Sequence, residues 1–210
     1  MPKLVNASEK EEIIDGIKRG FADVQFIGRF LDVFIQSIRL KAQSPGKDLF
    51  TRIIDNLNAS SKDKLIEKLG DSSFQKKIIH GWEIDLKKNK LKGHTISSLT
   101  SVCVEAYLQN GRYFTKGDGT NDLKRISDGS RWEIKGNRGK DFKLTINQSH
   151  VGLDDTRFIL YCGYPEENQL HGIYCIKGDD KAFSPIRKGL NMRNFLNEYF
   201  NKLVEKIYPD

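Results

Sequence analysis

Cysteine is scarce and its spacing carries no chemistry. Cys103, Cys162 and Cys175 are the three present. An odd count without CxxC spacing argues against a disulfide framework and against a zinc knuckle. Three buried, reduced thiols are expected instead. His80, His94 and His171 show no metal-ligand spacing either. No segment approaches the ~20 apolar residues of a membrane span. The opening MPKLVNASEKEEII lacks the apolar stretch of a signal peptide. A soluble, cytoplasmic chain with no membrane partner is the expectation. The glycine-rich run Gly117-Asp118-Gly119-Thr120 is not a phosphate-binding P-loop, because the GK[ST] that completes one is missing. Internal repeats and low-complexity stretches are absent.

What is present suits a folded protein. In 210 residues, 38% are hydrophobic and 30% charged. That apolar fraction can build a core, so wholesale disorder is excluded. The length fits one domain, or one domain with a smaller helical companion. Thirty-five Lys and Arg against 28 Asp and Glu leave a formal charge of +7. This excess admits a nucleic-acid partner without requiring one.

The first 92 residues read as helical. Ser8 and Glu11 form a capping-box pattern ahead of an apolar run. Ile13, Ile14, Ile17, Phe21, Val24, Ile27, Phe30, Leu31, Phe34, Ile35 and Ile38 then recur at helical spacing. Ser44-Pro45-Gly46-Lys47 breaks this pattern. Further helices are predicted over Leu49 to Leu57, around Leu65 to Leu69, and over Phe74 to Trp82. The basic stretch Lys87 to His94 is taken as a boundary, giving a helical region over 1–92 and a second domain over 93–210. In the second domain, Ile96, Leu99, Cys103, Ala106 and Tyr107 mark a helix that ends at Asn110-Gly111-Arg112. Strands follow at Leu123 to Ser127, Ser130 to Gly136, Phe142 to Ile146, Arg157 to Tyr164 and His171 to Lys177. A closing helix is expected from Asn191 to Ile207. The order predicts an α/β or α+β fold, a mixed sheet flanked by helices and preceded by a helical region.

The chemistry concentrates in Asn121 to Lys140. Asp128-Gly129 signals a two-residue hairpin turn of type I′. Cross-strand partners would then be Ser127 with Ser130, Ile126 with Arg131, Lys124 with Glu133, and Asp122 with Lys135. Side chains alternate along a strand. Asp122, Lys124, Ile126, Arg131, Glu133 and Lys135 therefore share one face. Leu123, Arg125, Trp132 and Ile134 share the other. Two carboxylates beside a lysine suit phosphodiester hydrolysis with Mg²⁺, a hard cation that takes oxygen ligands. The ammonium can orient the attacking water and offset charge on phosphorus. The plainer reading is a charged strand face making surface ion pairs.

Asp122 followed by Glu133-Ile134-Lys135 resembles the PD-(D/E)xK nuclease core, and the type II restriction endonucleases within it. The similarity covers roughly residues 95–180. Asn121 stands where the proline of the motif's name would be. The resemblance implies a restriction-endonuclease-like sheet. It also implies that Asp122 and Glu133 bind Mg²⁺ and that Lys135 assists the water. Many such enzymes carry a supporting carboxylate on the preceding helix, which makes Glu105 a further catalytic candidate; Asp118 competes with it.

Lys124, Arg125, Arg131, Arg138, Lys140 and Lys143 are candidates for phosphate contacts, which would make binding salt-dependent. Asn137 lies in a Gly-Asn-Arg-Gly run that would let backbone approach DNA. Asn147, Gln148 and His150 follow the next strand and are candidates for base readout. Cutting both strands of a two-fold symmetric site suggests a homodimer, with the N-terminal helices contributing to dimerisation or DNA contact. The expected function is a Mg²⁺-dependent, site-specific endonuclease acting on double-stranded DNA. Its rivals are a structure-selective repair or recombination nuclease and a non-catalytic DNA-binding protein.

Overall fold

The structure is a computed structural model. It describes residues 4–41, 54–71, 73, 80, 84, 94–140, 155–178 and 204–209, with backbone alone at 28–41, 69, 70 and 94. Among the described residues the helices with defined bounds are α1 (Ala7–Lys41), α2 (Ala59–Gly70) and α3 (His94–Gln109). Six strands are β1 (Phe114–Lys116), β2 (Leu123–Arg125), β3 (Arg131–Arg138), β4 (Thr156–Tyr164), β5 (Gln169–Lys177) and β6 (Val204–Tyr208). They form a single mixed sheet in sequential order, β1 to β6. The fold is mixed α/β. The helices expected over Leu49 to Leu57 and Phe74 to Trp82, the strand over Phe142 to Ile146 and the boundary stretch Lys87 to His94 lie wholly or mostly outside the described residues.

Helix α1 begins earlier than the Ser8/Glu11 pattern predicts. Asn6 and Glu9 make the reciprocal cap instead. The Glu9 N–H donates to Asn6 Oδ1 at 2.9 Å, and the Asn6 N–H donates to Glu9 Oε2 at 2.8 Å. Both residue pairs fit the capping-box spacing. The choice falls on Asn6/Glu9 because Glu9 also finds a buried cationic partner. The expected run Ile13, Ile17, Phe21, Val24 and Ile27 is buried at 2% exposure or less, as an amphipathic helix requires.

The chain divides into two compact units. One contains Met1–Ile17, Leu108–Tyr164 and Leu170–Asp210; the other contains Lys18–Tyr107 and Pro165–Gln169. Neither unit is one continuous stretch of sequence, and the N-terminus belongs with the sheet. The Leu4 N–H donates to Glu205 of β6 at 2.7 Å, and Glu9 pairs with Arg125 of β2.

The helical unit has an apolar core of Val24, Ile27, Leu57, Leu65, Ile96, Leu99, Val102 and Cys103. Beside it, Asp23 accepts hydrogen bonds from Ser61 Oγ at 2.5 Å and Tyr107 Oη at 2.8 Å. Burial and then the Asp23 carboxylate push the Tyr107 hydroxyl up to about 12.

In the sheet-bearing unit, β3 and β4 run parallel from Arg131↔Thr156 to Arg138↔Gly163. Strand β4 is buried continuously from Phe158 to Gly163, the pattern of a strand covered on both faces. Trp132 is fully buried and meets Phe114 edge-to-face at 5.5 Å. The closing helix expected to reach Ile207 is corrected at its end, because residues 204–208 form strand β6. Val204, Ile207 and Tyr208 are β-branched or aromatic residues that suit a strand, and β6 pairs antiparallel with β5 with an irregularity at Ile207. The short strand β1 was not legible in the sequence. Cys103, Cys162 and Cys175 are all free and buried, and burial pushes the Cys103 and Cys175 thiols well up.

Candidate active site

The hairpin β2–β3 pairs as Leu123↔Trp132 and Lys124↔Arg131. This register differs by two residues from the one a two-residue turn would impose. The loop is longer because Asp128 organises it. Its Oδ1 accepts hydrogen bonds from the Ser130 N–H at 3.0 Å and Ser130 Oγ at 2.6 Å. The loop is closed by the Arg125 N–H on the Ser130 carbonyl and by the Gly129 N–H on the Arg125 carbonyl, both at 2.9 Å. Gly129 takes φ +68°, a conformation glycine adopts at no steric cost. Ile126 consequently sits in the loop, 59% exposed, and not in the strand face predicted for it.

A slip of two residues leaves every side chain on its original face, because the strand period is two. Asp122, Lys124, Arg131, Glu133 and Lys135 therefore still share a face. The opposite face carries Leu123, Trp132 and Ile134, all buried. That apolar anchor fixes which way the charged face points.

Three of the predicted residues come together. Lys135 Nζ lies 2.7 Å from Glu133 Oε2. The Asp122 carboxylate accepts the Ile134 N–H at 2.8 Å, which holds it beside the peptide joining Glu133 to Ile134. Glu133 is only 4% exposed, whereas the Lys135 side chain is 30% exposed. A decorative surface ion pair would leave its carboxylate in water. Here the carboxylate is desolvated, which is unfavourable unless a cation compensates it.

The backbone at Asp122 is held from two sides. Its carbonyl accepts from Gln109 Nε2 at 2.8 Å and from the Gly117 N–H at 3.2 Å. Asn121, 9% exposed, donates through Nδ2 to the Leu123 carbonyl at 2.6 Å. Asp118 lies in the exposed loop before it. The Thr120 hydroxyl and N–H hold its carboxyl below the usual range, and Arg131 Nε lies 3.9 Å away. Glu105 belongs to the helical unit, where Lys64 Nζ is 3.9 Å from it.

The predicted phosphate contacts divide by exposure. Lys124, Arg131, Arg138 and Lys140 are exposed and Asn137 is half-buried. By strand alternation Lys124, Arg131 and Asn137 share the face of Glu133, and Arg138 the opposite one. The Arg138 guanidinium stacks over the Tyr164 ring at 5.1 Å. Arg125 is turned inward. Its Nε lies 2.7 Å from Glu9 Oε1, and Nη2 also contacts Glu9. Lys143, Asn147, Gln148 and His150 lie outside the described residues. Sequence reasoning missed Gln109 and the Glu9–Arg125 pair. The Asn6-x-x-Glu9 cap was readable, but nothing local marks a bond to residue 125.

Among the described residues no group of three or more acidic, His or Cys side chains could hold a metal ion. The carboxylates beside the Glu133–Ile134 peptide are those of Asp122 and Glu133. That donor set fits Mg²⁺, which binds through one or two carboxylates and keeps waters or substrate phosphate as its other ligands. Comparison of the chain with protein-family models, curated proteins and solved structures gives no match.

Proposed function

We propose that the protein is a Mg²⁺-dependent, site-specific endonuclease that hydrolyses phosphodiester bonds in double-stranded DNA. The reading is of the PD-(D/E)xK type, with a restriction-endonuclease-like sheet. The observation that carries it is the buried Glu133 in contact with Lys135, beside an Asp122 carboxylate fixed on the Ile134 N–H. Asp122 and Glu133 would hold the metal. When bound, Mg²⁺ polarises the phosphoryl oxygen and lowers the pKa of a coordinated water.

The chain's own residues do the remaining work. Lys135 orients the attacking water and offsets charge developing on the phosphoryl oxygens. Water oxygen bonds to phosphorus in line, and the bond to the 3′ oxygen breaks. The products are a 5′-phosphate and a 3′-hydroxyl. Lys124 and Arg131, exposed on the same face, contact the DNA backbone and make binding fall with salt. Lys140, exposed just beyond the end of β3, extends that contact. A homodimer would present two such sites to the two strands.

Digestion of unmethylated phage DNA tests this reading. Discrete fragments should form with Mg²⁺ and vanish with EDTA. Asp122→Ala and Lys135→Ala should each reduce cleavage by at least about 10²–10³-fold, the range expected for removing a positioned electrostatic group, while circular dichroism stays unchanged. Full cleavage by either folded variant removes the assignment. Salt-sensitive DNA binding without any cleavage would favour the binding-protein alternative, and preference for flaps or junctions would favour a repair nuclease.

A further inference from the structure

We infer that Gln109 is a positioning residue that sets the affinity of the Asp122/Glu133 pair for a divalent cation. The inference rests on the metal-dependent reading above, and names a residue outside the charged cluster on which that reading depends. Gln109 is the last residue of α3. Its Nε2 donates to the Asp122 carbonyl at 2.8 Å. The Asp122 side chain, in turn, reaches across to the Ile134 N–H at 2.8 Å. Gln109 therefore holds the backbone from which one carboxylate projects, and the other end of that carboxylate rests on the strand carrying Glu133 and Lys135.

The donor itself is fixed in place. Immediately after α3, the Glu12 carboxylate accepts the Arg112 N–H at 2.6 Å and the Tyr113 N–H at 3.0 Å. The Gly111 N–H bonds back to the Leu108 carbonyl at 3.1 Å. These contacts determine where the helix stops and so where Gln109 stands. Asp122 precedes a strand of three residues, β2, whose own ladder is short. An exposed loop runs into it from Gly119 and Thr120. Without Gln109 the Gly117 N–H alone would hold the carbonyl, at the longer distance of 3.2 Å. That second bond preserves the fold in a Gln109 variant, so loss of cation affinity and loss of folding can be separated. Groups that orient metal ligands in this way typically change metal affinity by about 10–100-fold.

Mn²⁺ binding to the full-length protein tests the inference without requiring cleavage. Free Mn²⁺ is followed by electron paramagnetic resonance for the wild type, Gln109→Met and Gln109→Glu, with thermal unfolding measured alongside. Gln109→Met keeps the length of the side chain and removes the donor; it should weaken Mn²⁺ binding about tenfold with the unfolding temperature nearly unchanged. Gln109→Glu discriminates further. An added negative charge near a bystander position would tighten cation binding. A lost donor facing the Asp122 carbonyl should weaken it instead. Wild-type affinity in folded Gln109→Met, or tighter binding in Gln109→Glu, would overturn the inference and leave the nuclease reading standing. Failure of the wild type itself to bind Mn²⁺ would overturn both. In the same variants, a raised Mg²⁺ requirement with an unchanged maximal cleavage rate is expected if DNA is cut.

Discussion

Among the described residues of the sheet-bearing unit two glutamates are buried, Glu9 at 1% and Glu133 at 4% exposure, and they are compensated in different ways. Glu9 caps α1 and grips Arg125 of β2 through both carboxylate oxygens. Arg125 is itself only 14% exposed and also reaches Asp128 at 3.4 Å. This pair joins segments far apart in sequence, so its desolvation cost is offset by tying the N-terminus to the sheet. Glu133 instead meets Lys135, two residues along the same strand and 30% exposed. That contact lies within one strand. A buried carboxylate beside a half-exposed lysine is a candidate for function, because ionisable groups held in unfavourable surroundings concentrate at sites.

The largest expected effect follows from this contrast. Arg125→Ala strands a buried carboxylate and should cost about 3–5 kcal/mol of stability. Lys135→Ala takes a partly exposed cation from a carboxylate that is itself buried and should cost less, about 1–3 kcal/mol. Urea unfolding of both variants measures the difference. Equal losses would erase the distinction between a structural and a functional glutamate.

A smaller effect sharpens the comparison within β3. Gly136 pairs with Tyr161 in the parallel ladder, and a Cβ at Gly136 would collide with the Tyr161 ring and hydroxyl. Gly136→Ala must displace the buried Tyr161 ring, at an expected cost of about 1–3 kcal/mol. Because Gly136 follows Lys135, cleavage and stability should fall together. In Lys135→Ala cleavage should fall far more than stability does. Unfolding and DNA digestion measured on one preparation of each variant separate the two patterns.

Much of the charged face was readable from composition and parity. Asp122, Glu133 and Lys135 share it whether the hairpin register sums as a short turn demands or slips by two. The long helix was equally readable, since Ile13, Ile17, Phe21 and Val24 repeat at its period. What escaped was set by tertiary contacts. The loop length depends on Asp128 bonding to Ser130 and Arg157, and Arg157 is distant in sequence. The strand β1 spans three residues, too few for alternation to show. The terminal segment's β character competes with a helical apolar spacing upstream, and its pairing to β5 decides the outcome. Gln109 has no local mark at all, because its partner is a backbone carbonyl.

The smallest expected effect concerns the loop that joins the two halves of the comparison. Asp128 contacts Arg125 on one side and Arg157 Nη1 at 3.1 Å on the other. Arg157 also meets Ser130 Oγ at 2.9 Å and lies 5.6 Å over the Trp132 ring. Burial pushes the Asp128 carboxyl up, but the Ser130 hydroxyl and N–H and then Arg157 outweigh it and hold it at about 2. A carboxyl depressed in the folded state stabilises the protein above its unfolded pKa, about 3.9, and loses that contribution as pH falls through the folded value. The side chain is 40% exposed, so solvent screening reduces the gain to on the order of half a kcal/mol. The stability difference between the wild type and Asp128→Asn should therefore be constant from neutral pH down to about pH 4 and close towards pH 2. A difference that persists at pH 2 would assign the contribution to hydrogen bonds the amide cannot reproduce, and would detach Asp128 from the charge network that joins Arg125 to Arg157.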